Sequence, residues 1–172
     1  MLIREANSDD APQMHALNQR LDQETAFMLY EPGERTTTLE QQANRLQQLN
    51  EGNTSVMLVA VEETSGEIVG YIGGLVNNLS RVRHVMRCVI GIKQAYCGQG
   101  IGRQLFSALE TCAKARDIQR LELTVMAHNV QAQRLYIAMG FETEGVKKGA
   151  IFVGGQYVDE WLMGKCLGSL AR

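Results

Sequence analysis

At 172 residues and 19.1 kDa the chain fits one domain with a single core, burying about 70% of the surface its unfolded form exposes. Apolar residues make up 45% and charged residues 21%, the balance of an ordinary soluble globular protein. A net charge of −2 and a pI near 5.9 give no electrostatic case for a nucleic-acid partner.

Leu2 to Arg4 predicts a short opening strand. Ser8, Asp9 and Asp10 then supply an N-cap and first-turn acids for a helix running to about Leu21. Residues 22–36 read as irregular, with Pro32 and Gly33 marking a turn. Thr37 or Thr38 caps a second helix whose apolar positions are Leu39, Ala43, Leu46 and Leu49; Glu51, Gly52 and Asn53 end it. Ser55 to Glu62 and Glu67 to Val76 read as a hairpin around ETSGE. Gly70, Gly73 and Gly74 in its second strand point to a bulge or a close backbone approach. Val82 to Lys93 is the next strand. A helix over about 100–116 follows, with Ile101, Leu105, Ala108, Leu109 and Cys112 on one face. Arg120 to Met126 alternates as a strand, and Asn129 opens a helix that stops at Gly140. Phe141 to Lys147 and Tyr157 to Lys165 are the last strands, joined by a connection containing GGQ. Strand runs mixed with helices predict an α+β (mixed α/β) fold, one sheet packed on both faces, in a single domain over residues 1–172.

Between the strand ending near Ile92 and the helix after it lies a glycine loop, IGIKQAYCGQGIGRQL (Ile90–Leu105), with no acidic residue. Gly98, Gly100 and Gly102 permit positive φ and close backbone approach, so successive N–H groups can point into one concavity. That concavity sits at a helix N-terminus, whose first N–H groups lack partners and whose dipole favours an anion. The physical reading is a cradle for phosphate or pyrophosphate. The dinucleotide fingerprint fails on spacing, because its third glycine falls on Arg103 or Leu105. The Walker pattern fails because Arg103 and Gln104 follow Gly102.

A second segment, NVQAQRLYIAMGF (Asn129–Phe141), joins the loop in a wider resemblance. Loop and segment together resemble the GNAT superfamily of acetyl-CoA-dependent N-acetyltransferases. The family loop, Arg/Gln-x-x-Gly-x-Gly/Ala, stands here as CGQGIG, Cys97 to Gly102. The downstream signature stands as Asn129, Ala132, Leu135, Tyr136, Gly140 and Phe141. The resemblance implies a central mixed, mostly antiparallel sheet of six or seven strands with helices on both faces. It also implies a splay between the strands at about 82–93 and 119–126, for which Gly91 could permit a bulge.

In function the resemblance implies transfer of an acetyl group from acetyl-CoA to a primary amine of a small molecule or peptide. The amine attacks directly in a ternary complex. Pantetheine would pair with the backbone of Ile90 and Ile92. The loop backbone of Cys97, Gly98, Gln99, Gly100, Ile101, Gly102 and Arg103 would hold pyrophosphate, and Asn129 would cap its helix while reaching the pantetheine amides. Tyr136 is the expected general acid for the coenzyme A thiolate, since a phenol stays protonated at neutral pH. The strand before the loop carries no glutamate, so the base is open among His84, Glu122, Glu160 and a water relay, the relay being preferred. Tyr30, Glu31 and Tyr157 are the acceptor-pocket candidates, with Arg35 beside them. Cys97 departs from the family's Arg or Gln. A helix N-terminus would lower its pKa and burial would raise it; a small packed residue is the favoured reading.

Cys88, Cys97, Cys112 and Cys166 form no C-x-x-C pair, and His15, His84 and His128 no ligand cluster, so no metal is expected. The opening MLIREANSDD lacks the regions of a signal peptide, and no apolar run approaches ~18 residues. The expectation is a cytoplasmic enzyme without membrane attachment, with an unpaired last strand offering the edge for a homodimer. The alternative is a catalytically silent module that binds acyl-CoA as a sensor or interaction partner.

Overall fold

Alternation of side chains along a strand sends successive residues to opposite faces, and in this chain it sorts the apolar residues into two cores. The computed structural model describes residues 1–52 and 54–168. Its strands are β1 (Leu2–Glu5), β2 (Val56–Val61), β3 (Ile68–Val76), β4 (Val85–Ile92), β5 (Arg120–Met126), β6 (Glu142–Val153) and β7 (Gln156–Cys166). They form one seven-stranded sheet in the order β1-β2-β3-β4-β5-β7-β6. Every neighbouring pair is antiparallel except β4 with β5. The mixed, mostly antiparallel sheet that the family resemblance implied is the one found, with seven strands.

Helices α1 (Ala11–Glu24) and α2 (Leu39–Glu51) cover one face; α3 (Ile101–Ala115) and α4 (Val130–Ala138) cover the other. Val56, Leu58 and Ala60 of β2 join Leu105, Phe106 and Leu109 of α3. Met57, Val59 and Val61 join Met14, Leu17 and Leu21 of α1 and Leu46 of α2. Each large apolar side chain removed from water in this way contributes about 1.5–3 kcal/mol.

Several boundaries differ from the sequence reading. Asn7, not Ser8, caps the first helical turn. Its side chain accepts from Asp9 N at 2.9 Å, while Asp10 accepts from Asn7 N and pairs with Arg4. α1 runs on to Glu24, past Leu21. Thr38, rather than Thr37, caps α2 through a capping box with Gln41; Asn53 lies outside the described residues. Residues 80–84 turn instead of extending, because Val82 and Val85 donate to Leu79 and Val82 carbonyls; β4 therefore starts at Val85. Phe106 and Ala113 complete the buried face of α3, where Ala108 and Cys112 are half-buried.

Gly154 and Gly155, both at positive φ, close a two-residue turn that keeps β6 and β7 paired to Val153↔Gln156. β6 thus extends well beyond Lys147. The same hairpin places β7 between β5 and β6, so the last strand is not an edge; β1 and β6 are.

The parallel pair decides where a site can form. β4 and β5 pair only from Val85↔Arg120 to Arg87↔Glu122 and then part, a splay within the expected segments. The expected bulge at Gly91 is absent, because β3 and β4 pair without a register shift from Gly70↔Ile92 to Val76↔Met86. Gly91 is small for another reason: a Cβ there would lie 2.6 Å from Leu21 Cδ1 and 3.1 Å from Tyr71 Cε1.

Candidate functional site

Main-chain alternation fixes what the splay exposes. Lys93 N donates to Val69 O at 2.9 Å, so odd-numbered residues near the end of β4 turn their main-chain groups toward β3. Even-numbered residues turn toward β5: His84 O accepts from Gln119 N at 2.9 Å and Arg120 N at 3.1 Å. Ile90 and Ile92 lie past the last β4–β5 rung. Their N–H and C=O groups therefore face the gap without a strand partner.

Beyond Ile92 the chain makes a short 3₁₀ turn, Gln94–Tyr96, and enters the loop. Gly98 (φ 77°) and Gly100 (φ 82°) adopt the left-handed conformation, and open space surrounds the position of a Cβ at either. Gly102 is small for contact instead, since its Cβ would meet Leu135 Cδ2 of α4 at 2.6 Å. Gly100 is the N-cap of α3 with no side chain capping it, and no acid stands in the first turn. The leading amides of α3 are left free to meet an anion, with exposed Arg103 beside them. Gln99 is tied back through its side-chain amide to Ala95 O at 3.0 Å. The Cys97 thiol lies 3.5 Å from Lys93 O and 3.7 Å from Ile92 O, and burial followed by the Glu24 charge pushes its pKa up. The residue itself is exposed, so the small packed residue favoured from the sequence is not what the loop shows. Glu24 also anchors the loop to α1 by accepting from Gln94 N at 2.9 Å, a link that the sequence did not signal.

A cavity of about 1250 Å³ runs through the gap, lined from both faces of the sheet. On the loop side it is lined by Gly98, Gly100, Ile101, Gly102, Arg103, Asn129 and Tyr136. Asn129 caps α4, its Oδ1 accepting from Ala132 N at 3.2 Å. Tyr136 is buried edge-on against Phe106, ring centroids 5.6 Å apart, and burial raises its pKa far above neutrality. The phenol holds its proton at physiological pH.

The remaining sequence candidates are spread out. Tyr30 lines the cavity with the Arg35 guanidinium 4.3 Å over its ring, and Asp22 grips Arg35 through two bonds of 2.7 and 2.9 Å. Glu31 does not line it; its main-chain N donates to Glu34. Tyr157 sits near the β6–β7 turn, exposed and tilted against Phe152 with ring centroids 5.0 Å apart, outside the cavity lining. Of the base candidates only Glu160 reaches the cavity, 3.3 Å from Lys147 Nζ and opposite Met126 in the β5–β7 register. His84 lies in the turn before β4, and Glu122 pairs with Arg120 at 3.7 Å. Phe27 and His128, whose rings meet at a tilt with centroids 5.0 Å apart, also line the cavity and had no sequence signal. Among the described residues no cluster of His, Cys, Asp or Glu could hold a metal ion, and no helix is long and apolar enough to cross a membrane.

The model of the acetyltransferase (GNAT) family matches residues 18–141. An L-amino acid N-acetyltransferase of Escherichia coli K12, AaaT, is 31% identical over 101 residues, covering 58% of this chain and 62% of that protein. The chain thus spans less than two thirds of that relative's length. The crystal structure of a GNAT-family acetyltransferase from Streptococcus pneumoniae is 31% identical with a TM-score of 0.92, over 97% of this chain and 99% of the other. A phosphinothricin acetyltransferase from Sinorhizobium meliloti, solved in complex with acetyl-CoA, shares the fold at 24% identity and a TM-score of 0.85, over 97% and 88% of the two chains.

Proposed function

The chain belongs to the acetyltransferase (GNAT) family, and from that premise we propose that it moves an acetyl group from acetyl-CoA to a primary amine of a small molecule or peptide. The amine attacks the thioester directly, with both reactants held in one complex. The observation that carries this reading is the free backbone at one place: loop amides at the head of α3, opening onto a gap where Ile90 and Ile92 lack strand partners.

In this arrangement the amides from Gly98 to Arg103 hold the pyrophosphate and the arginine adds charge. Ile90 and Ile92 align the pantetheine arm as an added strand would, with Asn129 at its side, which fixes the carbonyl near the amine. Tyr136 donates its phenolic proton to the departing sulfur. Glu160 is the carboxylate positioned to take the ammonium proton through water, since neither His84 nor Glu122 lines the cavity. Tyr30 and Arg35 stand on the acceptor side. We read residues 1–172 as one catalytic domain working in the reducing cytoplasm, where the free thiols Cys88, Cys97, Cys112 and Cys166 persist.

Calorimetry with acetyl-CoA, followed by free-thiol release against a panel of amines, tests the reading. Binding with amine-dependent release is expected. Binding without release from any amine points to the silent acyl-CoA module instead. Gly100→Glu puts a carboxylate at the cradle in a strained backbone position and is expected to abolish measurable acetyl-CoA binding; unchanged affinity overturns the loop assignment.

A further inference from the structure

The half of the cavity under α1 and α2 holds polar groups that acetyl transfer leaves unused. Asn18 of α1 and Gln42 of α2 are only 8% and 5% exposed and line the cavity. Neither side-chain amide makes a hydrogen bond among the described residues, and since neither is among the sealed polar atoms left without a partner, both amides stay open to the cavity. Arg45 lies three residues along α2 from Gln42, on the same helix face. Its charge reaches the buried Tyr71 phenol, as do those of Arg35 and Asp22.

Charge accounting on this side leaves cations over. Asp22 is taken up by Arg35. Glu24 is bound to Arg20 and to Gln94 N, and Glu160 to Lys147. Arg87 projects to the same face from β4, between Met86 and Cys88, which point to the other core. Its register neighbour Glu122 pairs with Arg120. Arg45 and Arg87 are both exposed at the cavity wall, and neither has an ion-pair partner among the described residues.

We propose that this half is an anion subsite, and that the acceptor is an amine carrying a carboxylate, such as a free amino acid. The inference rests on the acetyl-transfer reading and narrows its substrate class. Arg45 meets the carboxylate with its planar fork, Arg87 adds field, and the amides of Asn18 and Gln42 donate to the remaining lone pairs. Two unpaired guanidinium groups and two neutral amides lining the same half of the cavity suit an anionic group. The carboxylate anchored under α2 leaves the amino group toward the gap. A polyamine meets like charge here, and a peptide N-terminus brings a neutral carbonyl where the guanidinium stands.

Matched acceptors test this: each common amino acid against its own carboxamide, with spermidine as the cationic control, read as thiol release from acetyl-CoA. Acetyl-CoA binding is measured separately by calorimetry, so its loss marks failure of the transfer reading and not of the subsite. The wild-type chain is expected to use at least one acid about tenfold or more better than its amide. Arg45→Gln raises KM for that acid roughly 10–100-fold with kcat nearly unchanged and levels the pair; Arg45→Lys keeps part of the preference. Amides or spermidine serving as well as acids overturns the inference. So does an acid-to-amide ratio that Arg45→Gln leaves intact, or release by neither member of any pair.

Discussion

Tyr136 is positioned by its ring rather than by its hydroxyl. Phe106 and Phe141 stand edge-on and tilted around it at 5.6 and 6.2 Å, so a phenylalanine in its place keeps the packing and loses only the proton. Tyr136→Phe is therefore expected to lower kcat by roughly 10–10⁴-fold with acetyl-CoA affinity retained, measured by steady-state kinetics and calorimetry. Equal turnover would make the phenol a packing residue. Tyr136 was legible in the sequence because it belongs to a local pattern, NVQAQRLY. Asn18 and Gln42 were not, because a polar residue on an amphipathic helix looks solvent-facing until the neighbouring strands open a cavity beneath it. Tyr157 shows the converse: a tyrosine near the chain's end said nothing about which face of a long hairpin it would take.

At the scale of elements, α4 begins beside the gap and depends on its first residue. Asn129 supplies the only side-chain cap of that helix, and Asn129→Ala is expected to lower unfolding free energy by about 0.5–2 kcal/mol in urea titrations. A midpoint identical to the wild type would show that the cap contributes nothing. The start of α4 and the extent of β5 could be read from sequence because capping and alternation are local. The start of β4 at Val85 and the length of β6 could not, since they depend on turn hydrogen bonds at Leu79 and Val82 and on a glycine pair at 154–155. The three loop glycines looked alike in sequence yet answer to different needs: Gly98 and Gly100 to dihedral angle, Gly102 to the closeness of α4.

Over the whole molecule, a set of carboxylates is held below its ordinary range. Asp10 is lowered by Arg4, Glu24 by Gln94 N, Glu144 by Arg120 and Asp159 by Gly149 N. Glu62 falls from 4.5 to about 2, lowered by Ser65 and Thr64. A folded pKa below the unfolded one means that the unfolded chain binds more protons in between. This stabilisation is complete above the ordinary carboxylate values and drains away as the pH drops toward the folded ones. The melting temperature is expected to fall progressively between about pH 5 and pH 2 in scanning calorimetry; a flat profile there would contradict it. The class of sheet and its covering helices were legible because they follow from the order of elements, whereas the two-sided cavity follows from where a single parallel pair stops. That short pair has a mechanical consequence. Its three rungs, Val85 to Arg87 against Arg120 to Glu122, act as the rivet of a pair of tongs, with the far ends of β4 and β5 as the jaws. Because no strand pairing spans the jaws, their width can change by small rotations at the rivet without breaking a single rung.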